Sequence, residues 1–172
     1  APINEINAIL KPHRNRFAEG LVTVVDDSHG IGAYGLTGRG TEEICGENVD
    51  INVGTFGKAF GVNGGFVAAS EAVIEAVRQK ADTYIYTNPL SVADCAAAKV
   101  AIDITDSPEG LERLKNVRAR IAQFRSGLKE LGLESIPGKH PVVPLMVRDT
   151  EKTTRMVEGF GEQGVLVVGL NF

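Results

Sequence analysis

The chain has 172 residues, 43% of them apolar and 23% charged, with a net charge of −4 at pH 7. That size and balance suit an α/β protein of one ordinary domain and a smaller piece, able to bury a core. No Lys/Arg-rich stripe suggests nucleic acid, no apolar run is long enough to span a membrane, and no basic-then-apolar leader opens the sequence, so a soluble, cytoplasmic protein is expected.

In chain order, Ile3, Ile6, Ile9 and Leu10 carry a helical spacing that Pro12 interrupts. The short basic cluster of His13, Arg14 and Arg16 reads as a solvated face. Leu21 to Val25 is a continuous, largely β-branched run of the kind a buried parallel strand shows. Residues 30 to 48, rich in Gly and Thr, read as loop. Asp50 to Gly54 is a second short strand running into "TFGKAFG", and Phe66 to Ala69 a third, entered through Gly64 and Gly65.

Helices then take over. "EAVIEAVRQKA" and "SVADCAAAKVAIDI" are amphipathic, and a longer helix starts at Pro108, where Leu111, Leu114, Val117, Ile121, Phe124, Leu128 and Leu131 recur at intervals of three and four. Ser107 as N-cap, Pro108 at the first helical position and Gly132 past the end punctuate it. Val142 to Val147 as strand, Thr150 to Gln163 as helix and Val165 to Val168 as strand predict a compact β-α-β tail, with Met146 and Phe160 in its core. A boundary near Asp106 separates it from the rest, giving regions 1–106 and 107–172. Cys45 and Cys95 are isolated and lack a C-x-x-C partner, which favours idle thiols over a disulfide or zinc site. The chain opens without Met and stops just after an apparent strand, which suggests a fragment.

The stretch "VVDDSHGIGAYG", residues 24 to 35, ends an apolar run in Asp26, Asp27, Ser28 and His29. Ligands of open α/β sheets bind outside the carboxyl ends of strands, and these residues sit at such an end. Gly30, Gly32 and Gly35 match the dinucleotide pattern G-x-G-x-x-G in form only. Polar residues separate the glycines from the strand, and the acid that should close the next strand is missing, since Asp50 opens it instead. A metal held jointly by Asp26, Asp27 and His29 is disfavoured because adjacent strand positions face opposite ways. In "GTFGKAFG", Gly54 to Gly61, Ala59 stands where a phosphate-binding loop needs Ser or Thr. A lysine between glycines at a strand end suits close approach to a bulky cofactor. Desolvation there would lower the Lys58 pKa and make its amine nucleophilic. An acid, an imidazole and an amine at neighbouring strand ends are together the set that pyridoxal phosphate requires: an Asp for the ring nitrogen and a Lys for the aldehyde.

"VVDDSHGIGAYGLTGRGTEE", "VDINVGTFGKAFGVNGG" and "YIYTNPLS", in that order, resemble the α-oxoamine synthases, fold-type I pyridoxal phosphate enzymes that condense an amino acid with an acyl-CoA. The resemblance implies that Asp26 meets the pyridine nitrogen, His29 the ring hydroxyl, Lys58 the aldehyde as Schiff base, and Thr55 the phosphate. It also implies that Thr87 reaches the phosphate of a neighbouring subunit, hence a homodimer with shared active sites. Region 1–106 then corresponds to the later part of a large, mostly parallel-sheet domain that binds the cofactor, and 107–172 to part of a small α/β domain. "GKHPVVPLMV" and the closing "GLNF" are most like the glycine C-acetyltransferase branch, with glycine and acetyl-CoA as substrates, although "GVNGG" is a residue shorter than that branch's loop. The family's chain is more than twice as long. The ring-stacking His and the carboxylate-gripping Arg lie in its other parts, so the isolated chain is expected to have little synthase activity. An 8-amino-7-oxononanoate synthase-like member, an NAD(P)-binding Rossmann module and a non-catalytic remnant are the alternatives.

Overall fold

The run that precedes the Asp/His cluster enters a sheet, but later and more briefly than its sequence predicts. In the computed structural model, which describes residues 1–170, β1 is Val24–Asp26. It pairs in parallel with β2, Ile51–Thr55, placing Val24 opposite Ile51 and Asp26 opposite Val53. β2 pairs on its other side, antiparallel, with β3, Gly65–Ala69, so the sheet order is β1-β2-β3.

The late start of β1 has a local cause. Thr23 and Asp50 close the strand entrance by reciprocal hydrogen bonds: Thr23 N–H and Thr23 Oγ1 both donate to Asp50 Oδ2 at 2.8 Å, and Asp50 N–H donates to Thr23 Oγ1 at 2.9 Å. Val24 is 61% exposed, so β1 is not the buried strand that its β-branched composition suggests. Among the described residues no layer covers that side chain.

α1, Ile3–Leu10, runs on into a 3-10 turn at Lys11–Arg16 where Pro12 interrupts the α pattern. A short helix inside the predicted loop, α2, Thr41–Cys45, is too brief to leave a periodic signal. α3, Glu71–Lys80, and α4, Asp82–Tyr86, follow β3. α5, Val92–Thr105, starts at Ser91, whose Oγ accepts from Asp94 N–H at 3.1 Å. α6, Pro108–Glu130, starts at Ser107, whose Oγ accepts from Gly110 N–H at 3.3 Å. It stops at Gly132, where φ is +68° and Leu133 N–H reaches Leu128 O at 2.8 Å.

The chain divides into two compact units, Ala1–Ala119 and the residues from Arg120 onward, so the division falls inside α6 and not near Asp106. In the second unit α7, Thr150–Glu162, is capped by Asp149, whose Oδ1 accepts from Lys152 N–H at 2.8 Å. The two flanking strands predicted for this tail do not form: residues 142–147 contribute only a bridge between Leu145 and Ser135, and residues 165–168 have no ladder. A strand's backbone groups need a neighbour to pair with, and none is present there among the described residues. Phe160 is exposed and not core, while Met146 is half-buried.

Buried side chains in the first unit are as much polar as apolar: Thr23, Asp27, Thr41 and Asn52 beside Ile3, Ala98 and Leu114. No helix among the described residues is long and apolar enough to cross a membrane.

The strand entrance makes a pH-dependent contribution. The two bonds from Thr23, backbone first, hold the Asp50 carboxyl below its ordinary value of 3.8, with Arg14 adding a smaller pull. A lowered folded pKa contributes stability that is complete above the unfolded value and is lost as pH falls below it. Asp50→Asn is expected to cost roughly 1 kcal/mol at neutral pH and to flatten the loss of stability as pH falls below the ordinary carboxyl value of 3.8, read by urea melts across pH.

Candidate active site

β1 delivers two carboxylates in succession, and strand alternation sends them apart. Asp27 turns inward and is 5% exposed. Thr41 supplies both of its hydrogen bonds, from N–H to Oδ2 at 2.7 Å and from Oγ1 to Oδ1 at 2.5 Å. The Asp27 N–H extends the sheet to Val53 O at 2.8 Å, and its carbonyl accepts from Gly30 and Ile31 N–H at 2.8 and 2.9 Å. That turn carries Ser28 and His29 at its corner.

Asp26 turns outward. Its Oδ1 accepts from Ser28 N–H at 2.9 Å. The Ser28 hydroxyl and then the Ser28 N–H hold its carboxyl below the ordinary 3.8 against the opposing effect of burial, and the charges of Lys58 and His29 add lesser pulls. The structure therefore brings Asp26, His29 and Lys58 into one electrostatic neighbourhood, and all three are exposed.

The glycines of "GIGAYG" serve packing, not a phosphate turn. A Cβ on Gly30 would stand 2.2 Å from Asp27 Oδ1, and one on Gly40, at φ +80°, 1.9 Å from Asp27 Oδ2. Gly32, at φ +79°, lies against Ala59 and Phe60. Gly35 makes room for the Glu43 carboxylate, which accepts from Thr37 N–H, Thr37 Oγ1 and Arg39 N–H. No helix opens on these glycines; α2 begins only after Gly40. The strand-turn-helix context that a dinucleotide fingerprint needs is absent from residues 24–40.

Lys58 sits on the turn that joins β2 to β3. Thr55 braces it: Thr55 Oγ1 donates to Gly64 O at 3.0 Å and accepts from Gly57 N–H at 3.1 Å. Phe56 and Gly61 N–H close the turn on Gly64 O and Lys58 O. Lys58 is exposed at the tip, so the burial expected to desolvate it is not present; its neighbours Phe56 and Phe60 turn aside and stack edge-on, with ring centroids 5.7 Å apart. Gly64, at φ +105°, receives the Leu90 side chain, which ties the turn to the segment containing Thr87. The Thr87 hydroxyl donates to Thr83 O, and Tyr86 beside it is 83% exposed. A threonine hydroxyl has one proton. Both threonines that the resemblance assigns to phosphate commit that proton to a backbone carbonyl.

A cavity of about 350 Å³ opens beside this site, walled by Ile31, Phe56, Phe60, Phe66 and Ile102, with Arg39 at its polar margin. Arg39 pairs with Asp106 at 2.7 Å. Lys58, Asp26 and His29 do not line it.

Residues 2–172 match the family described as aminotransferase class I and II. The chain belongs to that family. Curated relatives include 8-amino-7-oxononanoate synthases from Thioalkalivibrio sulfidiphilus, 39% identical over 170 residues, and Marinobacter nauticus, 35% identical over 173. These alignments cover 97% and 99% of this chain but 41% and 42% of the relatives, so the chain spans about two-fifths of their length. Among solved structures, a serine palmitoyltransferase from Sphingomonas wittichii superposes with a TM-score of 0.83 at 27% identity, over 98% of this chain and 41% of the other. An 8-amino-7-oxononanoate synthase from Francisella tularensis does so with a TM-score of 0.77 at 25% identity, over 87% and 45%. Similar solved structures of serine palmitoyltransferase carry pyridoxal phosphate. Pyridoxal phosphate is the family's cofactor.

Sequence reasoning singled out Asp26, His29 and Lys58 as candidates and gave no role to Asp27, whose buried carboxylate is held by Thr41, 14 residues away. The signal available was the pair of glycines, Gly30 and Gly40, that flank it in space.

Two outcomes follow from this geometry. Gly40→Ala places a side chain against the Asp27 carboxylate from a left-handed backbone, and is expected to cost about 2–4 kcal/mol in urea denaturation. Ser28→Ala removes the hydroxyl but not the N–H, so the Asp26 carboxyl is expected to titrate closer to 3.8 when followed by carbon NMR.

Proposed function

We propose that this chain contributes the cofactor-holding part of a pyridoxal phosphate-dependent acyltransferase that condenses an amino acid with an acyl-CoA and releases CoA. What supports the reading is that the strand ends and the turn after β2 carry a carboxylate, an imidazole and a primary amine, with Asp26 sensing the charges of the other two. Those groups fit the cofactor's ring nitrogen, ring hydroxyl and aldehyde. Bound pyridoxal phosphate would supply an electron sink for charge developing at the amino acid's α-carbon.

Each residue has its own task. Asp26, kept ionised by Ser28, holds a proton on the ring nitrogen. Lys58 Nζ would hold the aldehyde and would be the base for a substrate's α-proton; an exposed turn leaves it room for both. His29 donates a hydrogen bond to the ring oxygen and to the acyl carbonyl as negative charge builds there. Thr55, and Thr87 from a second copy in a homodimer, bind phosphate oxygens after releasing Gly64 O and Thr83 O.

Glycine and acetyl-CoA are the substrates favoured by "GKHPVVPLMV" and "GLNF". The relatives named 8-amino-7-oxononanoate synthase support a second reading within the same chemistry, with a different amino acid and acyl chain. The test incubates the chain with pyridoxal phosphate, reduces with borohydride and maps labelled lysines by mass spectrometry. Selective labelling of Lys58 that disappears in Lys58→Ala supports the reading, and scattered labelling overturns it. Glycine is expected to protect Lys58 from labelling better than alanine or serine, and the reverse order would assign the chain to the second reading. Because the chain spans about two-fifths of its relatives, it is expected to release little CoA unaided; robust turnover would refute that expectation.

A further inference from the structure

The proposed chemistry uses Asp26, His29 and Lys58, yet none of these is buried, and the fold has to hold them in place by other means. The buried titratable group beside Asp26 and two residues before His29 is Asp27.

Asp27 closes the loop 28–40 at both ends. At the near end its carbonyl takes Gly30 and Ile31 N–H, and Gly30 lies against Oδ1; at the far end Gly40 lies against Oδ2 and Thr41 donates to both oxygens. The middle of the loop rests on the next turn, where Gly32 is in contact with Ala59 and Phe60, the residues directly after Lys58. The Asp27 carboxylate therefore packs against Gly30 and Gly40, and Gly32, between them in the loop, packs against the Lys58 turn. The corner that carries His29 is closed by the Asp27 carbonyl and by the packing of Gly30 on the carboxylate.

We propose that Asp27 is a positioning residue: seated on Thr41, it sets loop 28–40 against the Lys58 turn and so keeps Lys58 and His29 in register with Asp26. This rests on the pyridoxal phosphate reading above. Asp27 itself touches no reacting atom. Its effect is on where the amine and the imidazole stand, and displacements of an ångström at such groups change reactivity by one to two orders of magnitude.

The experiment compares the wild-type chain with Asp27→Ala, Thr41→Val, Thr41→Ser and Asp50→Asn. Two quantities are read for each: the share of borohydride-fixed pyridoxal phosphate carried by Lys58 against other lysines, and the dissociation constant for pyridoxal phosphate by fluorescence. Melting temperatures are measured in parallel. Thr41→Val removes only the hydroxyl bond and is the variant least prone to unfold, while Asp50→Asn weakens the other end of the same strands. The expected result is a loss of about tenfold in the Lys58 share and in affinity for Asp27→Ala and Thr41→Val, with recovery in Thr41→Ser. Asp50→Asn is expected to lower the melting temperature without changing either quantity. Equal loss in Asp50→Asn, or no loss in a folded Thr41→Val, would show that Asp27 is merely structural and would overturn the proposal. A wild-type chain that labels no more at Lys58 than elsewhere overturns the cofactor reading and this inference with it.

Discussion

The seating of one buried carboxylate on two donors of one threonine is the constraint on which the rest of the site depends. A carboxylate taken out of water is costly unless its oxygens are satisfied, and Thr41 satisfies both Asp27 oxygens from a single residue. That economy has a steric condition. The backbone has to come close on two sides, which only glycine allows at Gly30 and at Gly40. The polar turn at the end of β1, the long Gly-rich loop and the start of α2 are in this sense one object. Altering any part of it forces the others to move.

The exposed groups inherit their arrangement from that object. Asp26 and Asp27 are neighbours in sequence with opposite environments: one is held by a threonine in the interior, the other by Ser28 at the surface. The alternation of β1, continued by the Asp27 N–H bond to Val53 O, produces the split and gives two identical side chains opposite environments. The Lys58 turn is braced differently, by the Thr55 hydroxyl and by a Gly64 that receives Leu90. Thr55 and Thr87 each hold a carbonyl with the proton that a phosphate oxygen would claim. Phosphate binding at either residue exchanges one hydrogen bond for a stronger, charge-assisted one and does not simply add a bond.

What could be read from the sequence was chemistry and helical period; what could not was pairing. Asp26, His29 and Lys58 were legible because their residue types are scarce together at strand ends. The helices from Val92 and Pro108 were legible because their caps and apolar spacing are local. Asp27 was hidden because its partner comes from the far end of a loop. α2 was hidden because five residues are too few to show a period. The strands expected at 142–147 and 165–168 have the composition of strands, but a strand exists only with a neighbour, and composition does not supply one. The glycines of "GIGAYG" illustrate the converse: a pattern associated with phosphate binding arises here from the need to admit Asp27, Glu43 and the Ala59–Phe60 pair.

The balance of buried side chains has a thermodynamic consequence. In the first unit Thr23, Asp27, Thr41 and Asn52 are buried alongside only Ile3, Ala98 and Leu114, while Val24, Ile44, Tyr86 and Val92 remain at the surface. Fully buried polar side chains thus outnumber fully buried apolar ones among the described residues of this unit. Exposing polar area lowers the heat-capacity change of unfolding and exposing apolar area raises it, so each such polar group reduces the curvature of the stability curve. Cohesion of this kind is carried by hydrogen-bond enthalpy, so it persists in the cold, where cohesion based on apolar contact fades.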